Sequence, residues 1–357
     1  MDNRDSNRLQ RGRGATFSPD NRYSAHTQEA LDDGWGSLDA PLEPLRTTFT
    51  LDSSRTVISY NDSPDVGFDR SINPYRGCEH GCVYCFARPS HAWLGLSPGL
   101  DFESRLFYKP DAPELLRNEL AARAYRPAPI AVGINTDAYQ PGERKFKITR
   151  RILELLVECR HPFSIVTKSA LIERDIDLLE EAAAHQLVSV AVSITTLDRA
   201  LARHMEPRAA APQRRVEVVR RLSAAGVPVS VLVAPLIPVL TDGEMEKILE
   251  AAHAAGARAA GYVLLRLPHE LKELFEAWLA AHEPRKAAHV MNRIRDMRGG
   301  KDYDSRFGVR MRGTGEYADL IAKRFDIAHR RLGFSDFPLL DVAQFRPPRI
   351  TPQLELF

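Results

Sequence analysis

No run in this 357-residue chain approaches the ~20 consecutive apolar residues that cross a bilayer. Its start, MDNRDSNRLQRGRG, has no apolar core of the kind a secretory leader needs. Cysteine is scarce too. There are four, and three of them fall within eight residues, which is no disulfide framework. Excess charge of one sign is also missing: +2 overall points by itself to no polyanionic partner. What is present is 44% hydrophobic and 27% charged sequence, enough for one large domain or one domain plus a lobe. The expectation is a cytoplasmic chain, monomeric, with no membrane contact.

Residues 1–46 are rich in Arg, Asp, Asn, Ser, Gly and Pro and read as a disordered arm. Two β-rich runs around Asp52-Ser53-Ser54 suggest a hairpin within 46–60. From Arg70 onward, β-branched runs alternate with helical stretches. The strands are expected at 129–134, 163–168, 187–194, 227–236 and 258–267, with further strands near 71–75 and 105–108. VSVLVAPL is apolar on both faces, as a strand covered on both sides must be. Such alternation implies parallel pairing through crossovers. The expected fold is α/β, a partial (βα)6 TIM-like barrel over 47–268, with its chemistry at the C-terminal ends of the strands. After Pro268 the strands stop. Residues 269–334 read as a helical lobe, and 335–357 as an extended, proline-bearing tail.

The three clustered cysteines lie in NPYRGCEHGCVYCFARPSH, as Cys78, Cys82 and Cys85 with spacing C-x3-C-x2-C. Thiolates are soft ligands, suited to zinc or to iron–sulfur clusters. Three of them on one loop can hold three irons of a 4Fe-4S cube and leave the fourth iron open. Gly77 and Gly81 suit a loop whose backbone must come close to metal. The competing reading is a structural zinc site, with His80 or His91 as fourth ligand.

This motif, with Tyr84 before its last cysteine, resembles the signature of the radical S-adenosylmethionine (SAM) superfamily. GINTDAYQPGERKFKITRRIL, IVTKSALIERDIDLL, VSITTLDRALARHMEPRAAAPQRR and VAPLIPVLTD are similar to its spore photoproduct lyase-like branch of DNA-repair lyases. LRLPHELKELFEAWL and RGGKDYDSRFGVRMRGTGEYA resemble an uncharacterised subgroup of that branch. The resemblance spans about Asp69 to Phe334. It implies a 4Fe-4S cluster on Cys78, Cys82 and Cys85, with SAM bound to the open iron. One electron, from reduced ferredoxin or flavodoxin, would cleave SAM to a hydrogen-abstracting 5′-deoxyadenosyl radical. It further implies Lys168 near the methionine carboxylate, with Ser193 close by, and Asn135, Thr136 and Asp137 near the amino group. Glu206 and Arg208 would reach ribose or carboxylate, and Ala234 and Pro235 would line the adenine. The branch's best-known enzyme returns a hydrogen atom from a further cysteine near the strand end that reads GINTD here. This chain has none there; Cys159 sits on an apolar helix position, and Tyr139 is a possible replacement donor.

Two further features bear on the partner. Residues 285–331 carry thirteen Lys/Arg against six Asp/Glu, a local +7 that leaves −5 for the rest. Arg285, Arg295, Arg298, Arg310 and Arg312 are the candidates there for contact with DNA or another nucleic acid; a solvated helix face explains them equally well. The final residues Gln353, Leu354, Glu355, Leu356 and Phe357 resemble the pentapeptide that docks repair proteins on the bacterial DNA sliding clamp. The resulting expectation is a radical SAM enzyme acting on a nucleic-acid-related substrate. Its alternatives are radical modification of RNA or protein, and a metal-stabilised, non-enzymatic DNA-binding accessory protein.

Overall fold

Short β-branched runs pack well on a pleated surface, and these become strands in the computed structural model, which describes residues 10, 12–24 and 44–349. They are β1 (Thr48–Leu51), β2 (Ile58–Tyr60), β3 (Arg70–Ile72), β4 (Tyr75–Arg76), β5 (Arg105–Tyr108), β6 (Ile130–Val132), β7 (Phe163–Thr167), β8 (Val188–Ser193), β9 (Val229–Leu236) and β10 (Ala259–Leu264). The larger sheet has the order β10-β9-β8-β7-β6-β3-β2. β3 and β6 to β10 pair in parallel, and β2 closes one edge antiparallel. Six parallel strands with helical crossovers make the expected partial (βα)6 barrel.

The crossover helices follow from their apolar spacing. In Ile148–Glu158 the buried residues Ile148, Ile152, Leu155 and Leu156 recur at helical intervals and form one stripe against the sheet. Glu316–Leu332 buries Ala318, Ile321, Phe325 and Ala328 in the same way and stops at Gly333, whose φ of 74° is left-handed. That helix was expected in a separate lobe. It instead packs beside Met245–Ala254, tied by Arg324 to Glu246 at 2.7 Å, and joins the main core. Its Phe325 ring packs on Tyr262 of β10. Only Leu271–His282 and Ala287–Asp296 form a distinct layer, and their core includes Val83 and Tyr84 of the cysteine loop.

Three other expectations change. The hairpin does not form: β1 pairs with β5 in a small sheet, β1-β5-β4, while β2 pairs with β3. Asp52 explains the divergence, because its N–H donates to the Tyr108 carbonyl and its carboxylate accepts from Arg76. Residues 12–24, expected as disordered arm, dock on the barrel. The Gly14 and Ala15 N–H groups donate to the Glu103 carboxylate at 2.9 and 2.8 Å. A Cβ on Gly14 would stand 1.7 Å from the Gly81 carbonyl oxygen, so only glycine fits this approach. The tail, over its described part, crosses the end of the barrel where strands begin. Ser335 bridges Ala259, the Gln344 amide donates to the His185 carbonyl, and Phe345 packs on Tyr125 and His161.

One buried ion pair fixes the cysteine loop. Arg88 faces Glu103, both side chains fully buried, and also donates to the carbonyls of Gly81, Cys82, Pro98 and Gly99. Breaking a buried pair strands the remaining charge, at a cost of about 3–5 kcal/mol. Arg88→Met is therefore expected to lower the urea midpoint by that equivalent, at unchanged slope. A loss below about 1 kcal/mol would show that the loop does not depend on this pair.

Candidate active site

Parallel strands place their C-terminal ends together, and the residues there line one cavity of about 650 Å³. That lies in the range of small-molecule sites. Cys78, Cys82 and Cys85 enter from the loop after β4. Asn135, Thr136 and Asp137 follow β6, Lys168 follows β7, Ser193 ends β8, and Ala234 and Pro235 belong to β9. Arg266, just beyond β10, completes the ring.

The loop needs left-handed turns at Gly77 (φ 76°) and Gly81 (φ 66°). A Cβ at Gly77 would meet Leu106 at 2.4 Å and the Phe102 carbonyl oxygen at 2.8 Å. The Thr136 hydroxyl and the Gln140 amide both donate to the Gly77 carbonyl. Asp137 ties three segments together: it accepts from the Thr167 hydroxyl and the Lys168 N–H, each at 2.8 Å, and faces His80 Nδ1 at 3.3 Å. Burial opposes its charge, but His80 and these donors outweigh burial and hold the carboxyl down at about 2. Thr136 and Asp137 thus hold the loop, while the exposed Asn135 keeps its side-chain amide available to the cavity.

Tyr84 is buried beside the loop. Its hydroxyl donates to Glu206 and lies 3.1 Å from the Thr195 hydroxyl. Glu206 in turn pairs with the buried Arg215, which also donates to the carbonyls of Ser193 and Ala210. Burial works against the Glu206 charge, yet Arg215 first and Lys168 second hold its carboxyl down at about 2. Lys168 Nζ sits 5.7 Å from the Tyr84 ring centroid.

These positions revise several expectations. Glu206 and Arg208 do not line the cavity. Glu206 is spent on Tyr84 and Arg215, and Arg208 donates to Glu79 and Thr47. Tyr139 is fully buried in the core and Cys159 lies at the strand-start end, its carbonyl accepting from Arg346, so neither reaches the cavity. The five arginines do not form one surface. Arg298 is buried and donates to the carbonyls of Leu265 and Val309. Arg295 pairs with Asp302, and Arg312 covers the Tyr262 ring. Arg310 pairs with Asp65 and lines the cavity, while Arg285 and Arg312 are exposed and have no ion pair among the described residues. The clamp-like pentapeptide, residues 353–357, lies outside the described residues. Arg215, Arg88 and Arg266 were missed. The signal was present: each interrupts an apolar helix stripe, a buried turn or an apolar strand run.

The cysteines suit a cluster better than a single ion. All are free thiols. Among the described residues, no three Cys, His, Asp or Glu side chains converge as ligands of one ion. A zinc site requires that convergence, whereas in a cube each thiolate takes its own iron. His80 is engaged by Asp137, and His91 Nε2 lies 3.0 Å from the Arg105 carbonyl. Burial pushes the Cys78 thiol well up, and the Cys82 thiol to about 12. Bare thiolates are disfavoured there, and soft cations would reverse this.

The radical SAM superfamily matches residues 72–252, about half of the sequence. The chain belongs to the radical SAM superfamily. Its cofactors are accordingly a 4Fe-4S cluster and SAM. An uncharacterised protein of Mycobacterium tuberculosis (strain ATCC 25618 / H37Rv) is 38% identical over 232 residues, covering 64% of this chain and 67% of that one. An uncharacterised protein of Methanocaldococcus jannaschii is 31% identical over 173 residues, covering 48% and 62%. Among solved structures, a spore photoproduct lyase mutant with bound AdoMet and dinucleoside spore photoproduct has a TM-score of 0.54 at 15% identity, covering 80% of this chain and 77% of that one. The likeness establishes a shared fold. No described helix is long and apolar enough to cross a membrane.

Glu206→Gln is expected to cost about 3–5 kcal/mol, because Arg215 keeps a buried charge without its partner. Urea unfolding at neutral pH measures this. The Glu206 carboxyl is depressed in the fold, so its stabilisation is present above the ordinary carboxyl range, near pH 4.5, and fades as pH falls through about 2. The variant should show no loss of stability attributable to this site across that acid range.

Proposed function

We propose that this radical SAM enzyme acts on a nucleic-acid-related substrate, with Cys78, Cys82 and Cys85 each holding one iron. The observation that carries the reading is the convergence of these thiols and the six strand ends on one cavity. Bound cluster and SAM supply a 5′-deoxyadenosyl radical for hydrogen abstraction, and the protein supplies orientation and shelter. Lys168 offers a cation for the methionine carboxylate, Asn135 and Ser193 offer polar groups beside it, and Ala234 and Pro235 offer an apolar wall to the adenine. Tyr84, locked by Glu206 and Arg215, keeps the loop rigid under the cofactor. Reduced ferredoxin or flavodoxin is the electron source, which fits a cytoplasmic monomer.

Nucleic acid is favoured because the shared fold is that of a protein solved with a dinucleoside spore photoproduct. Copying that enzyme's cysteine-donor chemistry is not favoured, since Cys159 lies away from the cavity. Anaerobic reconstitution tests the core reading. About four irons per chain and reductive SAM cleavage are expected, with Cys82→Ala losing cleavage at least a hundredfold (~3 kcal/mol). Bound zinc without cleavage would sink it.

The terminal Gln353, Leu354, Leu356 and Phe357 supply an amide and three apolar anchors suited to the sliding-clamp groove. Deleting 353–357 should abolish binding to a purified bacterial clamp in a pull-down while leaving SAM cleavage intact. Equal capture of the truncated chain would remove the clamp from this account.

A further inference from the structure

Arg266 stands out among the residues that the cofactor reading does not use. It interrupts the apolar run YVLLRLP just past the end of β10. It lines the cavity, half-buried, with its guanidinium 4.2 Å from the Phe86 ring centroid. Among the described residues it has no ion pair and no hydrogen bond. Tyr303, Cys85 and Asp65 favour its charge from a distance, but Cys85 is claimed by the cluster, and Asp65 is already committed to Arg310 at 2.5 Å and to the Gly308 N–H at 2.6 Å. Burial first, and Arg310 as well, act against the Arg266 charge. A partly desolvated cation with no direct ion pair is stabilised when an anion joins it.

The surroundings say which kind of anion. Arg298 bridges the Leu265 and Val309 carbonyls, and the Leu264 N–H donates to the Met311 carbonyl. These bonds fasten the loop after Ala287–Asp296 to the end of β10 and bring Arg310 into the same cavity as Arg266. Each cation covers a phenyl ring: Arg266 covers Phe86, and Arg310 lies 4.6 Å from the centroid of the exposed Phe307. Tyr303 and His269 line the same cavity. Cations interleaved with exposed rings suit alternating phosphates and bases rather than a lone carboxylate.

We propose that Arg266 binds a backbone phosphodiester of a nucleic-acid strand whose neighbouring base enters the cavity. This inference rests on the reading of the cavity as the place where substrate meets the radical. It assigns the β10 end to substrate and leaves the β6, β7, β8 and β9 ends to the cofactor.

The test uses the reconstituted full chain and a fluorescent single-stranded oligothymidylate, beside the same strand with uncharged methylphosphonate linkages. Wild type should bind the phosphodiester strand more tightly. Arg266→Met should weaken it about 10- to 100-fold, the size of one charge-assisted contact, and leave methylphosphonate binding nearly unchanged. Arg266→Lys should recover part of the loss, which also shows that the position tolerates substitution. Equal losses on both strands, or no loss on either, would overturn the proposal. So would weakened SAM binding with unchanged strand binding, which would make the cofactor carboxylate the anion. Oligoglutamate bound as tightly as the strand, with the same loss in Arg266→Met, would give the site to an acidic peptide instead. SAM cleavage by the wild-type chain without any nucleic acid is read separately. Its failure would strike the radical SAM reading and not the phosphate contact.

Discussion

The fully buried guanidinium of Arg88 holds the cysteine loop in place. A loop that presents three thiols to a cavity cannot spend its own carbonyls on regular ladder bonds, and buried carbonyls must be bonded somewhere. Arg88 collects those of Gly81 and Cys82, along with Pro98 and Gly99, and Glu103 balances its charge. Glu103 then recruits the N–H groups of Gly14 and Ala15, so the same carboxylate anchors an N-terminal segment over the loop. The opposite flank is held by Asp137, which joins the loop's His80 to the ends of β6 and β7. The thiols are therefore placed by two carboxylates on different elements, and the barrel serves as the frame that brings these carboxylates near.

The barrel was readable because its evidence is local. Runs such as FSIVT and VSVLVAPL declare buried strands, and the helices between them carry their apolar stripe in plain order. The thiol loop was readable for the same reason, since all three ligands lie within eight residues. Lys168, Ser193, Ala234 and Pro235 followed from resemblance plus their place at strand ends, and the cavity contains them. What failed was long-range. Nothing near Asp52 says that Arg76 and Tyr108 will draw β1 away from β2. Nothing near Glu206 says that Arg215, nine residues on, will occupy it. Composition called residues 12–24 disordered because few of them are apolar. They are held by polar contacts, from Gly14 and Ala15 to the buried Glu103 carboxylate, from Asn21 to the Ala92 and Leu96 carbonyls and from Arg22 to Glu270, which composition does not register.

The charge count shows the same limit and gives it a direction. Along the sequence, 285–331 sums to +7. In space, Asp302, Asp65, Glu246 and Glu250 pair with Arg295, Arg310, Arg324 and Arg331, and Arg298 turns inward to carbonyls. The count alone therefore does not define a broad basic surface, because several of these cations lock helices and loops to the barrel. Non-specific backbone binding scales with the number of phosphates neutralised, and Arg285, Lys301, Arg312 and Lys323, exposed and without an ion pair among the described residues, remain available for it. Inside the cavity, Arg266 is left without an ion pair among the described residues. Such a protein would gain only part of its affinity from bulk electrostatics. It would depend on placing one strand, or on a tether outside the barrel, to bring the substrate to the radical.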